Sequence, residues 1–457
     1  MARKVFISFL GTTNYIDCNY YFESQPELKV EAAKFIQEAL LIALDDKFDE
    51  KDACYFFLTD DARKMNWNSD SQFNQATQQY DLPYEGLQKR LEKLKVNGFK
   101  GQIHDIDIFE GYSSDEIWKT FDQVFSKLET GDRIFLDITH GFRSLPMLAI
   151  VLMNYSKALK NIVVEEIYYG AFEKLGHIGK VKALPLSQRN APIIELQSFA
   201  TLQNWSNAAS DFIVFGNTQN LAHTLNNDVD LSGLNSLSKK RKNKLNHELK
   251  NISKIINEFA GAIATNRGHE IINNKNVEAL NDSIKSIKQL GAEVAPLIPF
   301  FNLLERIEGE VAQYRKEDLR NGFIAVQWCK KNKLIQQGLT LLQEFLVSLC
   351  LDHLGENYDD KDFRDFISAF LGYREDSKDD FKFSEIDPNK QEELIILLQN
   401  DKSFFVEIKA IYHDLANTHR NDINHAGFGR KPRSYQEFEK ALDRNLFKVI
   451  KLFELTL

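Results

Sequence analysis

The stretch "DRIFLDITHGFRSLP" at residues 132–146 decides the fold, because it combines a strand pattern with a polar turn and a helix start. Its first part is rich in β-branched and aromatic side chains, which favours a strand over 132–139. Gly141 allows a tight turn, and Ser144 followed by Pro146 is typical of a helix cap and its first turn. The stretch therefore predicts a strand that leads directly into a helix.

The same alternation extends in both directions from this stretch. Further strand patterns occur at 4–11, 53–59, 102–110 and 161–172, and helical patterns lie between them at 26–44 and 85–98. Apolar strands interleaved with helices predict a mostly parallel sheet covered on both faces. The run "GHIGKVKALP" at 176–185 predicts a terminal hairpin or edge strand. Residues 1–190 are therefore expected to form a Rossmann-like α/β domain.

Beyond residue 190 the strand patterns fade and helical spacing takes over. Amphipathic helices are predicted at 243–259, 300–316, 334–354 and 434–457. The charged run at 374–393, which contains Pro388, predicts a loop. We expect an all-α second half, made of a helical connecting region over 191–330 and a helical bundle over 331–457.

Composition excludes several classes of protein. A net charge of −9 argues against a broad surface for duplex DNA, although "SKKRKNK" at 238–244 leaves room for a small basic cleft. Four scattered cysteines favour neither a disulfide framework nor a cysteine zinc site. No apolar run approaches the ~18–20 residues that span a bilayer. The N-terminus lacks a signal-peptide cleavage site, so the sequence predicts a cytoplasmic protein without a membrane partner.

Two strand ends carry unusually polar residues. The first predicted strand runs into "GTTNY" at 11–15, and the strand at 132–139 runs into the turn around Gly141. Ligands of open parallel sheets gather at such carboxyl ends. Thr12, Thr13, Asn14, Thr139 and His140 could donate hydrogen bonds to phosphates, ribose or base edges, while plain turn and capping chemistry is the alternative. Neither loop matches G-x-G-x-x-G or a P-loop, so another kind of anionic ligand is indicated.

The segment "HRNDINHAGFG" at 419–429 places Arg420 five positions before His425. A histidine can act as general acid or base, and an arginine can stabilise charge on a reacting phosphate, which together suit cleavage of RNA without a metal. On a regular helix the two side chains would point ~140° apart. Either a helix begins or ends between them, or groups from two copies of the protein converge.

A metal site is a weaker interpretation of the same segment. His413, His419 and His425 recur every six residues, which spreads them around a helix and does not suit shared ligation. No H-E-x-x-H motif occurs. The sequence therefore predicts neither a metal nor a cofactor.

Taken together, these motifs resemble a known family. "DITHG" at 137–141 and the opening "KVFISFLGTTNY" resemble the CRISPR-associated DxTHG-motif proteins. "LIQQGLTLLQEF", ending at Phe345, resembles the first long helix of their C-terminal domain, and "RNDINHAG" from Arg420 fits the R-x(4–6)-H motif of HEPN ribonucleases. The resemblance covers both ends of the chain and leaves about 195–330 poorly covered.

The resemblance implies a CARF sensor domain fused to a HEPN nuclease domain, acting in type III CRISPR antiviral defence as a homodimer or higher oligomer. A cyclic oligoadenylate, most commonly cyclic tetra-adenylate, would bind across two CARF domains and activate cleavage of single-stranded RNA. By position, the ligand residues are Gly11, Thr12, Thr13, Asn14, Tyr15, Thr139, His140, Gly141, Phe142 and Arg143, and the catalytic residues are Arg420, Asn421 and His425.

Two alternatives stay open at this point. The first is a CARF-type transcription regulator in which 238–244 lies near a DNA-reading helix. The second adds slow cleavage of the cyclic activator in the N-terminal site. The residues of the two loops neither favour nor exclude this activity.

Overall fold

The computed structural model describes residues 2–69, 72–74, 79–81, 85–140, 145–227, 237–291, 297–373, 383–428 and 432–453. The chain forms two compact units, Met1–Thr201 and Leu202–Leu457. Within the described ranges, no helix is both long and apolar enough to cross a membrane.

The first unit is built on one mostly parallel sheet, as predicted. Among the described residues the sheet has eight strands in the order β3-β2-β10-β9-β8-β1-β4-β7, and β5 and β6 form a separate antiparallel pair. Antiparallel pairing within the large sheet joins β10 to β9 and β2 to β3. The strands are β1 Lys4–Phe9, β2 Cys18–Phe22, β3 Lys29–Ala33, β4 Ala53–Leu58, β5 Gln72–Asn74, β6 Gln79–Asp81, β7 Gln102–Asp107, β8 Arg133–Asp137, β9 Val163–Gly170 and β10 Asn190–Glu195.

Helices cover both faces of this sheet. Alternate residues of β1 enter different hydrophobic clusters, since Val5 and Ile7 belong to one and Phe6 to the other. This is the burial expected of a strand whose successive side chains point to opposite faces. The helices that begin in this unit are α1 Ile36–Ala43, α2 Asp60–Ala62, α3 Leu87–Val96, α4 Ser114–Ser126, α5 Leu145–Lys160, α6 Ile178–Lys182 and α7 Gln197–Phe215.

Two predictions for this unit are corrected. The segment 176–185 forms no strand and contains α6; the antiparallel strand that completes the sheet is β10, which extends past the predicted boundary at 190. The predicted helix over 26–44 is wrong in its first half, where β3 pairs with β2 and buries Val30. Tertiary pairing overrides the local helical spacing there.

One edge of the sheet is strongly charged. Edge strand β7 carries Asp105 and Asp107, and both carboxylates pair with Arg63, at 2.7 and 2.6 Å. Arg63 begins a π-helix, Arg63–Trp67, that follows α2 directly.

The second unit is helical, in agreement with the sequence. One hydrophobic cluster extends through it from Trp205 to Val449, and the finer division into 191–330 and 331–457 remains a prediction. Its helices after α7 are α8 Gln219–Asn227, α9 Lys239–Ala264, α10 Gly268–Asn273, α11 Val277–Gly291, α12 Ile298–Val311, α13 Arg320–Lys331, α14 Ile335–His353, α15 Lys361–Gly372, α16 Pro388–Asn400, α17 Lys402–His413, α18 Asn421–Asn424 and α19 Tyr435–Leu452.

The loop predicted over 374–393 is only partly right. Helix α16 begins at Pro388, which suits a first helical turn because its missing N–H has no partner to lose there. Residues 374–382 lie outside the described ranges.

Candidate functional site

The two polar loops of the first unit start from neighbouring strands. Strands β1 and β8 pair in parallel, so their carboxyl ends lie side by side. Asp137 at the end of β8 is fully buried; it accepts hydrogen bonds from the Ser8 hydroxyl at 2.7 Å and from the Thr139 N–H at 2.9 Å. Burial raises the pKa of Asp137. This carboxyl therefore fixes the loop backbone at the carboxyl end of β8.

The two loops meet at one cavity of about 450 Å³. Of the ten predicted ligand residues, those that line it are Thr12, Thr13, Asn14, Tyr15, Thr139 and His140. Gly11 contacts two of these lining residues. Its N–H donates to the Tyr15 hydroxyl at 3.1 Å, and a Cβ added at Gly11 would lie 3.2 Å from the His140 Cβ. Gly141, Phe142 and Arg143 lie outside the described residues.

His140 is held as a neutral side chain. Its ring meets the Tyr15 ring edge-on with centroids 4.8 Å apart, and Tyr15 in turn contacts Phe35. Burial lowers the pKa of His140 to about 4. At neutral pH the imidazole therefore carries no charge and presents one N–H donor and one acceptor.

The loop at 11–15 is positioned by Asn66, which the sequence motifs did not reveal. Asn66 lies in the π-helix after α2, is fully buried, and donates to the Gly11 and Thr13 carbonyls at 2.8 and 2.9 Å. The side chain thus fixes two peptide groups of the loop, those that follow Gly11 and Thr13. The π-helix, a geometry common at functional sites, brings the amide to this position.

Other lining residues also lacked a sequence signal. They are Ile16, Tyr20, Lys34, Met65, Gly170, Phe172, Glu173, Gly176 and Ile178. Lys34 is half-buried, and its burial, together with the nearby charge of Arg90, lowers its pKa to about 8. The cavity therefore contains one cation and the carboxylate of Glu173 beside hydroxyl, amide and imidazole groups, which suits a ligand with both anionic and hydrogen-bond-donating groups.

The second predicted site lies where a helix ends. A π-helix, Asp414–Arg420, passes into α18, and His425 follows as the C-terminal cap with φ −92°. Ala426 and Gly427 then adopt positive φ, which turns the chain sharply away. Of the two explanations that the spacing left open, the helix does end between Arg420 and His425; convergence of two copies stays a prediction.

The predicted catalytic side chains are accessible within this unit. His425 and Asn421 are exposed, and Arg420 is half-buried. The Arg420 guanidinium contacts Glu344 loosely, with Nη1 and Oε1 3.7 Å apart, and its buried Nε has no hydrogen-bond partner among the described residues. Glu344 is shared, because Arg364 donates to its Oε2 at 3.1 Å. The arginine thus keeps donors free for another acceptor.

His419 has a structural role instead. It is buried, its Nδ1 lies 2.7 Å from the Asp414 carbonyl, and its ring meets Phe438 edge-on. Burial acts to raise the pKa of Asp414, but hydrogen bonds from Arg444 and Asn445 outweigh it and lower that pKa. In the described part of the chain, no group of three or more His, Cys, Asp or Glu side chains is arranged to hold a metal ion.

Comparison with known proteins bears on both units. Residues 5–173 match the model of the family "CRISPR system endoribonuclease Csx1, CARF domain", and residues 201–315 match "CRISPR-associated protein MJ1674, second domain". The CRISPR-associated protein MJ1674 of Methanocaldococcus jannaschii is 30% identical over 145 residues, which are 31% of this chain and 21% of that protein. The chain thus spans about a fifth of that relative. Over these regions the chain is similar to CRISPR-associated proteins, and its first unit contains a CARF domain.

Proposed function

We propose that this protein is a homodimeric, metal-independent endoribonuclease of type III CRISPR defence. In the cytoplasm, a cyclic oligoadenylate would activate it to cleave single-stranded RNA. The observation that carries the proposal is the cavity of the CARF domain, where loops from the ends of β1 and β8 place polar side chains around one space. The enzymatic half rests on Arg420 and His425 at the end of α18.

The cavity chemistry suits a cyclic oligoadenylate. Hydroxyl groups of Thr12, Thr13 and Thr139 and the cation of Lys34 are ligands for phosphate, while the neutral His140 can exchange hydrogen bonds with a ribose or base edge. Gly141, Phe142 and Arg143 are proposed to complete the contact. Cyclic tetra-adenylate, the commonest activator in the resembling family, is our first choice.

The C-terminal groups suit cleavage by the internal 2′-hydroxyl of RNA. We assign proton transfer to His425, which is exposed and free to reach a substrate. Arg420 would stabilise the developing charge on the phosphate, replacing its loose contact with Glu344 by shorter, charge-assisted hydrogen bonds. Asn421, beside the arginine and exposed, would orient the RNA backbone.

A homodimer is supported by an exposed apolar face on α5, the helix that follows the second ligand loop. Met147, Ile150, Val151, Tyr155 and Leu159 share this face, and Met147 and Ile150 are 69% and 59% exposed. Continuous apolar exposure of this kind is typical of an interaction surface. A second copy seated on α5 would place two ligand loops around one symmetric ring.

The deciding experiment follows cleavage of a fluorescent single-stranded RNA by the full chain, with and without cyclic tetra-adenylate or cyclic hexa-adenylate, in the presence of a chelator. We expect cleavage that depends on one of the rings and persists in chelator. Cleavage insensitive to both rings would remove the sensor assignment. Loss of all activity in chelator would remove the metal-independent mechanism.

A second candidate, a nucleic-acid-binding regulator, is favoured by one observation. Helix α9 begins with Lys239, Lys240, Arg241, Lys242 and Lys244, and its first turn has no acidic residue. DNA binding by the full chain without any RNA cleavage would support this candidate.

Degradation of the activator is tested separately, by incubating cyclic tetra-adenylate with the Arg420→Ala protein and measuring linear products.

A further inference from the structure

The cavity holds one feature that a site for a polyanion does not explain. Of the described residues that line it, Lys34 and Glu173 carry a charge at neutral pH. Lys34 attracts phosphate, but the carboxylate of Glu173 repels it. We therefore expect this carboxylate to contact a part of the ligand other than phosphate, namely a hydrogen-bond donor.

Glu173 is oriented by its neighbours. It lies in a short 3₁₀ helix, Phe172–Leu175, just after β9 ends at Gly170. The Tyr169 hydroxyl donates a hydrogen bond to Glu173 Oε1, and this bond, followed by burial, raises the pKa of Tyr169 to about 12. Tyr169 therefore stays a donor at all physiological pH values, and Oε2 of the same carboxylate can accept a second hydrogen bond.

An aromatic ring stands next to this acceptor. Phe172 lines the same cavity and is partly buried against the core of the first unit. The end of β9 is fixed on its other side, because the Gly170 N–H donates to the Thr139 hydroxyl at 2.8 Å. An aromatic side chain and a carboxylate that line one cavity can together bind a base, by stacking and by a hydrogen bond to the base edge.

The hydrogen-bonding groups on the base edges determine which base suits this acceptor. The 6-amino group of adenine is a donor, whereas guanine and hypoxanthine carry an acceptor oxygen at position 6 and their nearest donor is the N–H at position 1. We propose that Phe172 and Glu173 form a base subsite of the cavity, in which Phe172 stacks on an adenine and Glu173 accepts a hydrogen bond from its 6-amino group. Glu173 thereby recognises the 6-amino group of adenine; this inference rests on the proposed function.

The test compares two cyclic tetranucleotides by calorimetric titration of the full chain. The cyclic tetranucleotide of purine riboside has the ring and phosphates of cyclic tetra-adenylate, but hydrogen replaces each 6-amino group, so its base edge presents no N–H donor. The wild-type protein is expected to prefer the adenylate by about tenfold or more, since a specific base contact contributes ~1–3 kcal/mol of discrimination. In Glu173→Gln the amide both donates and accepts, so this ratio is expected to fall to within about threefold.

Two further variants separate the roles. Phe172→Ala removes stacking worth ~1–3 kcal/mol and is expected to weaken both ligands to a similar degree, which preserves their ratio. Glu27→Gln, an exposed change in the turn between β2 and β3, is the matched control and is expected to match the wild type.

The outcomes distinguish the two levels of inference. An unchanged ratio of affinities for cyclic tetra-adenylate and the purine-riboside ring in Glu173→Gln overturns the subsite and leaves the proposed function standing. A wild-type protein that binds neither cyclic tetra-adenylate nor cyclic hexa-adenylate overturns the proposed function, and the subsite with it.

Discussion

The two candidate sites differ in how completely a single copy of the chain forms them. In the first unit, hydrogen bonds from Asn66 and to Asp137 fix the loops around the cavity. In the second, His425 is exposed and Arg420 is held by one loose contact. A sensor gains affinity from such preorganisation, whereas a nuclease that must stay inactive without its ligand benefits from an incomplete site. Both sites nevertheless adjoin a π-helix.

The largest effect is expected at the open site. Arg420→Ala and His425→Ala should each lower ligand-stimulated RNA cleavage by about 10²–10³-fold, because each removes charge stabilisation or proton transfer. The measurement is the single-turnover rate with saturating cyclic tetra-adenylate. Arg306→Ala and His247→Ala, both exposed in the same unit, are the controls. Cleavage that continues at the wild-type rate in both variants would contradict the assignment.

The next effect concerns assembly. Ile150→Glu places a charge in the exposed apolar face of α5, and burying it in a dimer should raise the dimer dissociation constant by about 100-fold or more. Sedimentation equilibrium measures this constant, and activation by cyclic tetra-adenylate should weaken in parallel. Val96→Glu, at the exposed end of α3, provides a matched surface change. An unaltered dimer in Ile150→Glu would place the interface elsewhere.

A smaller effect is expected at the cavity of the first unit. Asn66→Asp removes both donors that hold Gly11 and Thr13 and turns a carboxylate toward two carbonyls. Two lost hydrogen bonds of ~1 kcal/mol each predict about a 30-fold weaker affinity for cyclic tetra-adenylate.

The same variant separates positioning from catalysis. The ligand concentration needed for half-maximal activation should rise in Asn66→Asp, while the maximal cleavage rate stays unchanged. Asn97→Asp, exposed at the end of α3, is the control. A fall in the maximal rate at an unaltered half-maximal concentration would contradict the positioning role.

The smallest predicted effect is a pH dependence. Burial and the charge of Arg90 lower the pKa of Lys34 to about 8, and a bound phosphate should raise it. A group whose pKa rises on binding favours binding below its free pKa, so affinity for cyclic tetra-adenylate is full below pH 8. It should decline about three- to tenfold between pH 8 and 9.5. Calorimetric titration of Lys34→Met should give a flat profile, while Lys100→Met, exposed near β7, keeps the decline.

The sequence predicted the parts of each site that follow local patterns. The loops after β1 and β8 could be found because apolar strands ending in polar turns are visible within a dozen or so residues. Lys34, Asn66 and Glu173 could not, because each comes from a segment with no such pattern and reaches the cavity through pairing distant in sequence. Lys34 even lay inside a predicted helix whose first half is β3.

The same contrast holds in the second unit. The end of a helix between Arg420 and His425 was one of two explanations that the sequence left open, since their angular separation did not fit one regular helix. It could not supply the contact of Arg420 with Glu344, because α14 and the π-helix approach each other only in the folded chain. The spacing of apolar residues identifies the buried face of each helix, but not the helix against which that face packs.

The charged edge strand β7 has a consequence for solubility. An open sheet edge offers unpaired backbone groups to any other strand, and such edges seed aggregation. Asp105 and Asp107, bridged by Arg63, set charges along this edge and resist the addition of a foreign strand. Neutralising both aspartates should therefore shorten the time that the purified protein stays in solution, an outcome that light scattering would record.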